Sequence, residues 1–120
     1  MTLGWKIEPA CRERLLALFP PRYERTVADH VTRAFAHSPD ASPPPGIAHA
    51  RVVGHVDDGS GVEALVVAID GCTARPDGGT WHVTWSLAGE RAAKDSNVVL
   101  AEQGWSPCEG GTILLRPAVW

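Results

Sequence analysis

Residues 30–32 and residues 82–84 have the same sequence, HVT, and carry the residue types in this chain best suited to chemistry. Each copy lies in a segment with the pattern of a β-strand, in which residues two apart point to the same side. Each histidine therefore shares a face with the threonine of its own copy, and the valine between them points the opposite way. The pattern predicts two strands that each present an imidazole and a hydroxyl to a cleft.

An imidazole and a hydroxyl in two copies suit the cleavage of a phosphodiester. That reaction needs a base to activate the attacking water and an acid to protonate the leaving oxygen, and imidazole titrates in the range required for both. A hydroxyl can donate to a non-bridging oxygen. We therefore predict that His30 and His82 are the acid and the base, and that Thr32 and Thr84 bind the phosphate. We assign His82 as the base and His30 as the acid, although nothing in the sequence forces that order. This chemistry requires no metal and no cofactor, and we expect neither.

The segments 28–32 (ADHVT) and 81–84 (WHVT), followed by 94–97 (KDSN), resemble the 2H phosphoesterase superfamily. They look like the cyclic phosphodiesterase module of fungal tRNA ligases and its small bacterial relatives, over residues 20–105 in outline. The resemblance implies two pseudo-symmetric lobes with a central cleft. It also implies activity on 2′,3′-cyclic phosphates or related phosphodiesters of nucleotides and RNA ends, with both histidines catalytic and both threonines on the phosphate.

The chain departs from the family pattern at Arg33. The position after the motif threonine is usually apolar in the family, and strand alternation would point Arg33 away from the cleft. Three explanations stay open: the strand lies at a sheet edge, the arginine extends its charged end to solvent, or the expected register of the strand is wrong. The chain is also short for the family, which puts a substrate-gripping lobe or loop in doubt.

Hydrophobic patterning and turn signals predict a single α+β domain over residues 1–120, with mostly antiparallel sheets and two short helices. The strand 3–8 is expected at a sheet edge, residues 22–28 and 37–46 are expected to be loops, and Asp95 or Ser96 is expected to cap the second helix. We expect strands over residues 3–8, 29–36, 47–57, 62–70, 80–88 and 112–119, and helices over residues 9–19 and 94–103.

The net charge of −3 disfavours a protein that binds along a nucleic-acid backbone, so DNA is not an expected partner. A nucleotide or an RNA end with a cyclic phosphate is the expected partner. No apolar run approaches the roughly 20 residues of a membrane span, and no signal peptide is evident. Three scattered cysteines form no disulfide or zinc pattern, which favours a reducing cytoplasm. The oligomeric state stays open.

Three further residues are candidates for substrate contact. Tyr23 and Arg25 precede the first motif, where a tyrosine can stack on a base and an arginine can bind a phosphate. Both also suit simpler roles, as a packed loop aromatic and a surface charge. Ser86 shares the expected face of the second motif.

Two other classes of function remain open. A nucleotide- or RNA-end-binding module without activity would use the same fold, with the histidines as ligand contacts. An interaction domain would leave the repeated HVT string a coincidence, with its two copies far apart. The remaining histidines, His37, His49 and His55, are too scattered to suggest a metal site.

Overall fold

The computed structural model describes residues 1–38 and 40–120; Pro39, in the expected loop 37–46, lies outside the described residues. The chain order is one strand, a helix, five strands, a second helix and two final strands. The elements are β1 (Thr2–Ile7), α1 (Pro9–Leu18), β2 (Arg25–Thr26), β3 (His30–Phe35), β4 (Ala50–Asp57), β5 (Val62–Ile69), β6 (His82–Leu87), α2 (Asp95–Gln103), β7 (Ser106–Thr112) and β8 (Leu115–Val119).

These strands form two sheets. The smaller sheet has the order β3-β1-β8 and the larger has the order β2-β6-β5-β4-β7. Every strand pair in both sheets is antiparallel. The α+β class with mostly antiparallel sheets and two short helices is therefore confirmed. The sheets differ in strand number, and the pseudo-symmetry of two lobes stays a prediction.

The main hydrophobic core lies between the two sheets and under α1, and it includes Trp5, Leu15 and Trp85. The Trp85 indole is fully buried and donates to the Phe19 carbonyl at 2.7 Å. A second cluster lies under α2, on the other face of the larger sheet, with Val99 as one member. The larger sheet therefore has two covered faces, which explains why β5 is apolar along almost its whole length.

The chain passes from one sheet to the other at Ala28. The backbone N–H groups of Val27 and Ala28 extend the pairing of β2 with β6, and two residues later His30 begins the pairing of β3 with β1. Ala28 is fully buried and has a φ of 43°, a left-handed conformation that is uncommon outside glycine. The Arg12 side chain of α1 donates to its carbonyl at 2.6 Å. Because of this corner, the segment leaves β6 at Ala28 and His30 lies in β3, the edge strand of the smaller sheet.

Several expectations about the strands are wrong. The segment 22–28, expected to be a loop, contains the short strand β2. The first strand is the middle of its sheet and not an edge, because β8 pairs along its other side. The strand β7 was not expected, since its sequence SPCEGGT has no apolar alternation. It is an edge strand, which tolerates Pro107. The last strand consequently begins at Leu115 and not at residue 112.

No helix in the described part of the chain has the length and apolar character to cross a membrane. The three cysteines are free thiols. Cys11 is buried in the main core, whereas Cys72 is exposed.

We expect Ala28→Val to lower the free energy of unfolding by about 2 kcal/mol or more, because a branched side chain would be both overpacked and held at positive φ. Urea unfolding followed by tryptophan fluorescence measures this loss. Ala28→Gly relieves the backbone and is expected to change stability by less than about 1 kcal/mol.

The matched control is Asp70→Val. Asp70 also has a positive φ, of 50°, but its side chain is exposed. This control adds strain without overpacking, so its loss should be the smaller one. Equal losses in the two valine variants would contradict a tightly packed corner at Ala28.

Candidate active site

A cleft of about 490 Å³ lies where β3 approaches β6 and the start of α2. His30 and Thr32 line it from the smaller sheet, and His82 and Thr84 line it from the larger sheet. The structure therefore brings together all four motif residues that the sequence singled out. It does so through strands that belong to different sheets.

His82 lies in the buried wall of the cleft. Its Nδ1–H donates to the Thr80 carbonyl at 2.8 Å, which leaves Nε2 as the free ring nitrogen. Burial lowers the pKa of His82; the Thr80 carbonyl opposes this shift, and the positive charges of Arg75 and His30 add to it. His82 is therefore a neutral imidazole near neutral pH, with Nε2 able to accept a proton.

His30 is held by a carboxylate. Its Nδ1–H donates to Asp29 at 3.0 Å, and Lys6 contacts the same carboxylate oxygen. Burial alone would raise the pKa of Asp29, but the hydrogen bonds from Lys6 and His30 hold it below its ordinary value. The Trp120 ring packs edge-on against the imidazole, with centroids 4.8 Å apart. These contacts fix the His30 ring and leave its Nε2 free.

Thr84 is positioned by the segment that begins α2. Its hydroxyl donates to the Ala93 carbonyl at 3.2 Å and shares a 2.8 Å hydrogen bond with the hydroxyl of Ser96. Ser96 is fully buried. The expectation that Asp95 or Ser96 caps α2 is wrong, because α2 has no side-chain cap and the Ser96 hydroxyl is used on Thr84.

Each motif is followed by a β-bulge, which inserts one extra residue into the strand. Arg33 is the extra residue in β3, and Trp85 is the extra residue in β6. The flanking pairs are Thr32↔Gly4 and Ala34↔Leu3 in the first case, and Thr84↔Ala64 and Ser86↔Glu63 in the second. The expectation that Arg33 points away from the cleft is wrong: Arg33 is exposed at the bulge and lines the cleft.

The bulge at Trp85 also reverses the face of the residues after it. Trp85 packs in the main core, whereas Leu87 packs in the cluster under α2. Ser86 accordingly faces away from His82, and its hydroxyl donates to the buried Glu63 carboxylate at 2.6 Å. The expectation that Ser86 shares the face of the second motif is wrong for this reason.

Tyr23 and Arg25 also lie outside the lining of the cleft. The Tyr23 hydroxyl donates to Asp57. The Arg25 guanidinium donates to the carbonyls of Gly89 and Arg91. Both side chains are committed to these contacts in the larger sheet, so neither is placed to contact a ligand in the cleft.

Sequence reasoning missed the cleft residue Arg75, which lies in the turn-rich segment 71–79. Its guanidinium donates to Asp77 at 2.8 Å and to the Asn97 side chain at 3.0 Å. The Arg75 guanidinium packs against the backbone of Gly79. A Cβ at position 79 would lie 2.5 Å from the guanidinium, so only glycine leaves room for it there. A lone arginine among turn residues gives no signal of this role. Lys94 and Asn97 also line the cleft, within the weakest part of the family resemblance.

No group of three or more His, Cys, Asp or Glu side chains within residues 1–38 and 40–120 is arranged to hold a metal ion. His55 instead contacts the buried Glu63 carboxylate at 2.8 Å.

We expect Arg75→Gln to raise the pKa of His82, because a neutral side chain there no longer opposes protonation of the imidazole. The pKa should stay below the ordinary histidine value of about 6.5, since burial is the larger cause. Histidine proton NMR over a pH titration measures it. Arg75→Lys keeps the charge and should leave the pKa low; a rise of equal size in both variants would contradict the electrostatic cause.

Comparison with known proteins found no family model, no curated protein and no solved structure that matches this chain. The resemblance to the 2H phosphoesterases stays a prediction carried by the residues themselves.

Proposed function

We propose that this protein is a metal-independent phosphodiesterase that opens 2′,3′-cyclic phosphates, or related phosphodiesters, of nucleotides and RNA ends. The observation that carries the proposal is the convergence of His30 and His82 on one cleft, from two different sheets. Each imidazole has its Nδ1 tied to an acceptor and its Nε2 free. Binding alone does not require two imidazoles oriented in this way. RNA-end processing in the cytoplasm is the setting we infer for such an activity.

The reaction is an addition of water across one P–O bond. The Nε2 of His82 accepts a proton from water as the water oxygen bonds to phosphorus. The bond from phosphorus to the 2′- or 3′-oxygen breaks, and the Nε2 of imidazolium His30 donates its proton to that oxygen. The product is a phosphomonoester beside a free hydroxyl, and exchange with solvent restores both histidines.

The surroundings of the two histidines support this order of roles. A base must be neutral before the reaction, and burial with the nearby Arg75 charge keeps His82 neutral. An acid must present its Nε2–H to the leaving oxygen, and the hydrogen bond from Nδ1 to Asp29 orients the His30 ring for that role. Two imidazoles in unlike environments are the arrangement expected for an acid and a base in one site.

The threonines lie on opposite walls, where they can donate to the non-bridging oxygens of the phosphate. For Thr84 this requires its hydroxyl to turn from the Ala93 carbonyl to the substrate. The Ser96 hydroxyl can then donate to the Thr84 oxygen and hold it in place. The lining holds three cations, Arg33, Arg75 and Lys94, and one carboxylate, Asp77, so its excess of positive charge favours a negatively charged ligand.

Hydrolysis of nucleoside 2′,3′-cyclic monophosphates in the presence of a chelator tests the proposal. We expect wild-type turnover to survive the chelator, and to fall about 100-fold or more in His30→Ala and in His82→Ala, the scale of a lost general acid or base. His49→Ala is the control, because His49 is exposed and lies outside the cleft.

Activity that is lost in neither variant would contradict the two-histidine mechanism. Wild-type inactivity on these substrates and on a short RNA with a cyclic end would contradict the substrate. Nucleotide binding without turnover would support the non-catalytic binding module.

A substrate with a sulfur leaving atom separates the two roles. We expect cyclic phosphorothiolates with sulfur at the 2′ or 3′ bridging position to restore much of the activity of His30→Ala, because a thiolate leaves without a proton from an acid. His82→Ala should gain nothing, since activation of water is still missing. Single-turnover rates of both variants on the oxygen and sulfur substrates provide the comparison, and rescue of His82→Ala alone would reverse the assignment.

A further inference from the structure

Two cationic side chains of the cleft, Arg33 and Lys94, are both exposed. The ion pairs within residues 1–38 and 40–120 use other cations, and neither of these two takes part in them. Arg75, by contrast, is paired with Asp77. A chain with a net charge of −3 thus places two uncommitted positive charges in the lining of one cleft.

The two cations stand on opposite walls of the cleft. Arg33 is next to a motif threonine, and Lys94 is next to a residue that hydrogen-bonds to the other motif threonine. Arg33 follows Thr32 directly, at the bulge of β3. Lys94 follows Ala93, whose carbonyl accepts from Thr84. A reacting cyclic phosphate carries a single negative charge. In the proposed mechanism the hydrogen bonds of the threonines and the positive charge of imidazolium His30 already stabilise that charge. The two remaining cations exceed the need of that phosphate.

An apolar platform adjoins these charges. Phe35 ends β3 and lines the cleft, yet 73% of its surface is exposed. A large aromatic ring left in solvent beside a charged cleft suits the stacking of a nucleobase. Phe35, Arg33 and Lys94 line the same cleft, so a base stacked on Phe35 would bring its attached phosphate to the cleft that holds both cations.

We propose that the substrate carries a second phosphate in addition to the one that reacts, and that Arg33 and Lys94 bind it. This inference rests on the proposed function for the identity of the reacting phosphate. The second phosphate is either a 5′-phosphate on the same nucleotide or the internucleotide phosphate of an RNA end. Both sources present the same chemistry to the two cations.

Binding of product-like nucleotides tests this without any turnover. The probes are adenosine 3′-monophosphate, adenosine 3′,5′-bisphosphate and the RNA dinucleotide ApA with a terminal 3′-phosphate. Each is titrated into the protein by calorimetry. We expect at least one of the two longer probes to bind the wild type about 10-fold or more tightly than the monophosphate, the scale of a charge-assisted hydrogen bond. Whichever longer probe binds more tightly identifies the source of the second phosphate.

The affinity for the tighter of the two longer probes, divided by the affinity for the monophosphate, shows which residues bind the second phosphate. Arg33→Ala and Lys94→Ala should each reduce the ratio several-fold, and the double variant should bring it near one. Arg51→Ala is the matched control, because Arg51 is an exposed strand arginine outside the cleft, and it should keep the wild-type ratio. Phe35→Ala should weaken all three probes alike.

Equal affinity of the wild type for all three probes, or no binding of any, would overturn the inference. A ratio that persists in the double variant would overturn the assignment to Arg33 and Lys94. Failure of the proposed function is a separate result, because hydrolysis of a cyclic monophosphate can be absent while the affinity ratio is present, or present while the ratio is absent.

Discussion

The candidate site depends on one backbone constraint, the corner at Ala28. If this segment paired only with β6, His30 and His82 would lie in one sheet. If it paired only with β1, the two histidines would lie far apart. The corner lets one segment pair with both, since residues 27 and 28 bond to β6 and His30 begins the pairing with β1. Its cost is a buried alanine at positive φ, which the surrounding packing and Arg12 offset.

The second constraint is the division of β6 between two environments. Val83 and Trp85 secure the strand in the core between the sheets, while His82 and Thr84 face the start of α2 and the cleft. The burial that makes this strand rigid also removes water from the His82 imidazole and lowers its pKa. The same packing that stabilises the fold therefore prepares a neutral base. His30 lies on an edge strand, is less buried, and receives its orientation from Asp29.

The sequence predicted the strands that carry the motifs, because alternation is a direct consequence of strand geometry and both motifs alternate. It also predicted that the two histidines meet, through the resemblance and not through any pattern in the residues between them. The positions of Arg33 and Ser86 could not be predicted, because a bulge adds a residue without leaving a mark in the apolar pattern. Neither could Arg75, whose place depends on the close approach that Gly79 permits, nor β7, which forms because β4 offers an unpaired edge.

A crystal structure with a nucleoside vanadate tests directly whether His30 and His82 act on opposite sides of one phosphorus. The five-coordinate vanadium stands in for the phosphorus of the transition state, and its axial oxygens stand in for the attacking water and the leaving oxygen. We expect vanadium in the cleft, with Nε2 of His82 and Nε2 of His30 each within hydrogen-bond distance of a different axial oxygen. Vanadate bound elsewhere, or in the cleft with only one of the two histidines in contact, would contradict this expectation.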